Sequence, residues 1–138
     1  MTKKIWNSDG KVEEVTTPYE FLFHYASMVK DDTDGKIVGL VTENISDSAN
    51  EVVYALYLVV PELRNYSYRL IEVVQPSAFS PYPVTMKLFG KAAGNIVVKE
   101  QVPFEGFEAV LLEFIQNPMT KLIIQGLYTH IDIKRKYE

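Results

Sequence analysis

Cysteine is absent from this chain of 138 residues, and histidine occurs only twice, as His24 and His130. Without cysteine, the chain can form no disulfide, hold no iron–sulfur cluster or zinc finger, and offer no thiol nucleophile. The two histidines stand far apart in the sequence and form no HExxH or paired-histidine motif. The sequence therefore predicts neither a metal site nor a bound cofactor.

A long apolar segment is also missing. The longest apolar run, residues 52–61, has ten residues, which suits a buried strand but is too short for a membrane-spanning helix. At the N-terminus, Lys3 and Lys4 are followed by polar residues where a signal peptide would need an apolar stretch. We therefore expect a cytoplasmic protein without a membrane partner.

The net charge of −4 is distributed unevenly along the chain. Residues 64–99 carry five basic side chains and one acidic side chain, a net charge of +4, whereas the segments on either side are acidic. The overall acidity argues against nucleic-acid binding, which needs a dominant basic surface. The basic middle segment instead indicates an acidic partner.

The first helix is predicted to begin at Thr17. Thr17 and Glu20 have the spacing of a capping box, and Pro18 takes the first helical position, where a missing N–H is tolerated. Apolar residues then recur every three or four positions until the turn-forming segment 31–35. Residues 1–16, ahead of this helix, are predicted to form an N-terminal extension or a short hairpin, and residues 17–138 a single domain.

Five antiparallel strands are predicted in the middle of the chain by apolar alternation and turn residues. They lie near residues 37–45, 51–60, 65–75, 82–89 and 95–102. Alternation places Arg69, Lys87 and Lys99 on one face, and Ile96 and Val98 on the opposite, apolar face. The second strand is apolar on both faces, so it should be central or covered on both sides.

Two helices close the predicted domain, separated at Asn117-Pro118 because proline disfavours helix in the preceding residue. The end of the second helix is ambiguous, since residues 129–134 also alternate like a strand. The whole pattern predicts an α+β fold with an N-terminal helix, a four- to five-stranded antiparallel meander and two C-terminal helices packed on one face of the sheet.

Three stretches carry a resemblance to a known group: YLVVPELRNYSYRLIEV, YPVTM and FEAVLLEFIQNPMTKLIIQGL. With their surroundings, about residues 52–127, they resemble a group of small uncharacterised bacterial α+β proteins. The shared positions are strand and helix core positions and a proline turn. The resemblance implies the fold and a bacterial source, and it implies no activity.

Motifs for catalysis are weak throughout the sequence. Glu20, His24 and Ser27 could meet on one helix face, but no nucleophile elbow or oxyanion hole accompanies them. The segment 32–35 has EF-hand-like aspartates without the first and last ligands, and the GK at 90–91 lacks the P-loop order. We therefore predict no catalytic residue, and the sequence favours a role other than catalysis.

The candidate binding residues are Arg69, Lys87, Lys99, Tyr57 and Phe79. The three basic residues would form a patch on the exposed sheet face, with Tyr57 or Tyr66 at its border, and the alternative is an ordinary solvated face. Phe79 lies in a proline-rich loop and is predicted either to contact a partner or to fold back onto the core.

Two functions follow as hypotheses. The first is a small adaptor, regulator or inhibitor-type module that binds an acidic partner through this face and the proline-rich loop, with a homodimer as a variant. The alternative is a binding or hydrolytic domain that holds an anionic small molecule between sheet and helices, with Arg69 neutralising the ligand.

Overall fold

The structure is a computed structural model, and it describes residues 15–46, 50–90 and 95–137. Its elements in chain order are α1 (Pro18–Asp32), β1 (Val38–Ile45), β2 (Val52–Val60), a 3-10 turn (Pro61–Leu63), β3 (Tyr66–Gln75), β4 (Val84–Phe89), β5 (Ile96–Val102), α2 (Phe104–Ile115) and α3 (Pro118–Tyr137). The predicted α+β fold is confirmed. The extension or hairpin predicted for residues 1–16 falls, except for its last two residues, outside the described ranges.

Helix α1 begins with the capping box that the sequence predicts. The Thr17 hydroxyl accepts a hydrogen bond from the Glu20 backbone N–H, and the Glu20 carboxylate accepts one from the Thr17 N–H, both at 3.2 Å. At the other end, the Thr33 hydroxyl donates to the carbonyl of Val29 and accepts from the N–H of Ile37. This side chain therefore ties the end of the helix to the residue before β1.

The five strands form one antiparallel sheet in the order β1-β2-β3-β4-β5, so every strand pairs with its neighbour in sequence. Strand β2 is an interior strand, paired with β1 and β3 on either side, in agreement with its apolar character on both faces. A bulge interrupts its pairing with β3 next to Leu56 and Tyr57, so that Tyr57 lies opposite Arg69. Because of this bulge, Leu70 and Ile71 are both buried on the helix side.

All three helices pack on the same face of the sheet, where they share one apolar core. Phe107 and Phe114 of α2 are fully buried there. Helix α1 approaches β1 so closely that a Cβ on Gly39 would lie 2.5 Å from the carbonyl oxygen of Ala26. Glycine is thus required at this position by the backbone of the helix above it. Among the described helices, none combines the length and apolarity that a membrane crossing requires.

Helix α3 continues to Tyr137, which settles the ambiguity at residues 129–134 in favour of helix. Its last turn is held to the 3-10 turn by a two-pronged ion pair, in which two guanidinium nitrogens of Arg135 lie 2.7 Å from the carboxylate oxygens of Glu62. Lys134 adds a hydrogen bond to the carbonyl oxygen of Glu62. These contacts fix the position of α3 over the start of β3.

The prediction for the faces of β5 is wrong. Lys99 pairs with buried Met86 and therefore faces the helices, whereas Val98 pairs with Lys87 and faces away from them. On an edge strand, apolar residues do not mark the core face reliably, because both faces are partly exposed. A bulge at Gln101, whose φ is 54°, then returns Val102 to the core, so simple alternation fails across this strand.

Candidate functional site

The face of the sheet opposite the helices is here called the open face. Each of the five strands contributes a side chain to it: Leu40, Tyr57, Arg69, Lys87 and Val98. None of the described helices covers it. Leu40 on the outer strand β1 is 50% exposed, and Ile96 and Val98 on the outer strand β5 are 47% and 45% exposed. Exposed apolar side chains therefore lie at both edges of the open face.

Charged and aromatic side chains occupy the centre of the open face. The Arg69 guanidinium lies 2.8 Å from a carboxylate oxygen of Glu72 and donates to the Tyr57 hydroxyl at 3.3 Å. The same guanidinium lies 5.8 Å from the ring centroids of Tyr57 and Phe89, within the range of a cation–π contact. The hydrogen bond to Tyr57 raises the pKa of Arg69 further, so Arg69 is a permanent cation.

Lys87 completes what we call the Arg69 cluster, which consists of Tyr57, Arg69, Glu72 and Lys87. Its ammonium group lies 3.8 Å from the second carboxylate oxygen of Glu72. One carboxylate therefore lies between two cations, and the cluster keeps one excess positive charge. Sequence reasoning did not assign Glu72 to the site, although Glu72 is the only acidic residue between positions 64 and 99.

The structure brings Arg69 and Lys87 together but separates Lys99 from them. On the helix side, the Lys99 ammonium lies 3.9 Å from the carboxylate of Glu113 in α2, and both side chains are largely exposed. The predicted patch of three basic residues is thus a pair with a shared carboxylate. Tyr57 borders the pair as predicted, whereas Tyr66 lies on the helix side, because it pairs with buried Val60.

Phe79 is 94% exposed, so this ring does not fold back onto the core of the described domain. Its loop is organised by short-range hydrogen bonds: the Ser77 hydroxyl accepts from the Phe79 N–H, and the Gln75 side chain donates to the Ser77 carbonyl. Gln75 is the last residue of β3, about 20 Å along the strand from Arg69. Phe79 therefore does not belong to the Arg69 cluster.

A second feature, which sequence reasoning missed, is a groove on the helix side between α3 and the start of β3. We call it the α3 groove, and its volume is about 380 Å³. It is lined by Leu63, Tyr66, Tyr68, Leu122, Ile123, Gly126, Leu127 and His130. Arg64 and Asn65, both with φ of 58°, turn the chain sharply between Leu63 and Tyr66, which both line the groove. The signal for this groove in the sequence was Gly126, a glycine in the middle of the long helix α3.

The residues considered for catalysis do not form a catalytic arrangement. Glu20 is engaged with the Thr17 cap, and the Ser27 hydroxyl donates to the backbone carbonyl of His24 instead of to its ring. In α2, Glu108 accepts a hydrogen bond from the Tyr25 hydroxyl at 2.6 Å, and this bond raises the pKa of Tyr25. Within the described ranges, no group of three His, Asp or Glu side chains is arranged to hold a metal ion.

No protein-family model, no curated protein and no solved structure matches the chain. The resemblance of residues 52–127 to small bacterial proteins therefore stays an expectation.

Proposed function

We propose that this protein is an interaction module of the adaptor, regulator or inhibitor type that binds an acidic protein through the open face. The observation that carries the proposal is a sheet face with apolar edges and two cations at its centre, which no described helix covers. A cytoplasmic location and a bacterial source are part of the proposal. The net charge of −4 favours a protein partner over a nucleic acid, because nucleic-acid binding needs a dominant basic surface.

The apolar edges supply the surface that a partner would remove from water. Leu40 and Val98 are about half exposed at opposite edges of the sheet. Removal of exposed apolar side chains from water is the main favourable contribution to most protein–protein association. Protein interfaces often combine such side chains with arginine and tyrosine, the residues most often found at binding hot spots, and Arg69 and Tyr57 occupy the centre of this face.

The centre of the face favours a partner that brings a carboxylate. Glu72 is shared between Arg69 and Lys87, so neither cation has a counter-ion of its own. An incoming carboxylate could pair with both cations once water is excluded, and complementary charge increases both specificity and the association rate. The guanidinium is held in place by Tyr57 and Glu72, so little side-chain freedom is lost on binding.

A homodimer through the open face is less well supported. In a two-fold symmetric dimer, the same patch contacts its own copy. The excess positive charge of one Arg69 cluster would then lie near that of the other, which opposes association. The alternative of an anionic ligand between sheet and helices also loses its neutralising group, because Arg69 lies on the face away from the helices.

The test compares two lysines on neighbouring strands that point to opposite sides of the sheet. Lys87→Glu reverses a charge on the open face, and Lys99→Glu reverses one on the helix side, the two lysine side chains being 36% and 45% exposed. Proteins captured from a lysate of the native host by wild type and both variants would be compared, after a thermal melt has shown that each variant is folded. We expect one protein to be lost with Lys87→Glu and retained with Lys99→Glu.

A zero-length carbodiimide cross-linker, which joins lysine amines to carboxylates, then tests the chemistry of the contact. We expect a cross-link between Lys87 and an acidic residue of the protein that wild type and Lys99→Glu capture and Lys87→Glu does not. Equal capture by both variants, or cross-links that map only to the helices, would refute the proposal. If the only protein captured is another copy of this chain, and the cross-links join two copies, the result would show a homodimer instead.

A further inference from the structure

The α3 groove has the size and lining of a small-molecule site. Its volume of about 380 Å³ lies within the range of such sites, and most of its lining is aliphatic or aromatic. The rings of Tyr66 and Tyr68 come from β3, and the facing side chains come from α3. The groove is thus formed by two elements whose relative position is fixed by the contacts of Glu62 with Arg135 and Lys134.

Gly126 is not explained by packing within the described chain. It lies in the middle of a helix of 20 residues, where glycine is less favourable than alanine. A Cβ at this position would meet no atom within 4 Å, so no neighbouring element requires a glycine there. Because Gly126 lines the groove, a side chain at this position would instead take up space that an occupant could use.

Two hydrogen-bonding groups face this apolar space. The side chains of Tyr66 and His130 both line the groove, and within the described ranges neither makes a hydrogen bond. Charged residues of both signs lie nearby: Arg64 follows Leu63 in the chain, and Asp132 and Lys134 follow His130 on α3. The nearby carboxylate of Glu62 is already paired with Arg135.

We propose that the α3 groove binds a small organic carboxylate with an apolar body. The apolar body lies over Gly126, between the tyrosine rings and the leucines of α3, and the carboxylate accepts hydrogen bonds from His130 and Tyr66. A carboxylate has two oxygens and can therefore accept from both groups at once, and the volume of about 380 Å³ suits a small molecule. The site is on the helix side of the sheet, so it is independent of the open face.

The test uses phenylbutyrate and its neutral amide as a matched pair of probes, titrated against isotope-labelled protein by NMR. The two probes have the same apolar body and differ in the charged group. We expect phenylbutyrate to shift the signals of groove residues and to bind at least about tenfold more tightly than the amide, as a charge-assisted hydrogen bond would require. Equal binding of both probes, shifts elsewhere in the protein, or no binding would overturn the proposal.

A pair of leucine substitutions on α3 provides a second test of the proposed site. Gly126→Leu fills the groove with a good helix-forming residue, whereas Gln125→Leu adds the same side chain one position away, at an exposed residue. We expect phenylbutyrate binding to be lost with Gly126→Leu and unchanged with Gln125→Leu, both variants being checked by circular dichroism. Retained binding in folded Gly126→Leu would contradict the assignment. If that variant does not fold, the location of the wild-type shifts decides the question.

Discussion

Arg69 and Glu72 form the closest ion pair on the open face, with 2.8 Å between a guanidinium nitrogen and a carboxylate oxygen. The Glu72 side chain is 13% exposed, whereas both members of the Lys99–Glu113 pair are about half exposed. A partly buried pair with a short contact is screened less by solvent than an exposed pair at 3.9 Å. The two pairs therefore allow a partly buried ion pair to be compared with an exposed one in the same protein.

We predict a measurable coupling energy for the Arg69–Glu72 pair and almost none for Lys99–Glu113. In double-mutant cycles with Arg69→Gln and Glu72→Gln, the coupling in the free energy of unfolding should be about 0.5–1 kcal/mol and should fall in high salt. The cycle with Lys99→Gln and Glu113→Gln should give about 0 kcal/mol. Equal coupling in both cycles would mean that Glu72 does not fix the position of Arg69.

Gly39→Ala should destabilise the protein. The added Cβ would lie 2.5 Å from the carbonyl oxygen and 2.8 Å from the Cα of Ala26, and these are backbone atoms of α1 that cannot rotate away. Overpacking of this kind costs about 1–3 kcal/mol, which urea denaturation measures as a lower midpoint. Gly106→Ala is the control, since a Cβ there would meet nothing closer than 3.8 Å. An unchanged midpoint for Gly39→Ala would show that α1 does not pack so closely on β1.

Gly126→Ala should have the opposite effect and stabilise the protein. Its Cβ would enter open space, so the gain in helix propensity, about 0.5–1 kcal/mol, is not offset by a clash. Thermal unfolding would show the gain as a higher midpoint. A lower midpoint would mean that the fold itself requires glycine at this position. The groove would then no longer explain Gly126.

The contact between α3 and the 3-10 turn should weaken in acid. The hydrogen bonds from Arg135 lower the pKa of the Glu62 carboxyl in the folded protein. A carboxyl whose folded pKa is depressed contributes stability above its unfolded pKa, near 4.3, and loses it as the pH falls through the folded value. The difference in melting temperature between wild type and Glu62→Gln should therefore be present at neutral pH and shrink below about pH 4. A difference that does not change with pH would exclude this ion pair as its source.

Phe79→Ser should leave the stability of the domain unchanged. The ring is almost fully exposed, and the loop is held by the side chains of Ser77 and Gln75 instead of by the ring. Surface substitutions of this kind usually change the free energy of unfolding by less than about 0.5 kcal/mol. A larger loss in a chemical denaturation curve would show that Phe79 packs against part of the chain.

The order of helices and strands could be predicted from the sequence because the signals are local. The Thr17 capping box, the turn residues between strands and the Asn117-Pro118 break each lie within a few positions of the boundary that they determine. The end of α3 was ambiguous because its alternation also fitted a strand. Only the contacts of Arg135 and Lys134 with Glu62 show how the last turn is held.

The composition of the site was harder to predict, because it depends on register. The face of Lys99 follows from its pairing with Met86 and from the bulge at Gln101, and neither is visible in simple alternation. The α3 groove joins Tyr66 to residues about 60 positions later, so no local pattern in the sequence could reveal it.

The strands follow one another in the sheet in the same order as in the chain. Forming this sheet requires the closure of short connections only, and proteins with such local contacts fold faster than those whose strands pair over long separations. All members of the Arg69 cluster lie on β2, β3 and β4. Two consecutive hairpins therefore bring the Arg69 cluster together, whereas the apolar edges of the open face require the outer strands β1 and β5 as well.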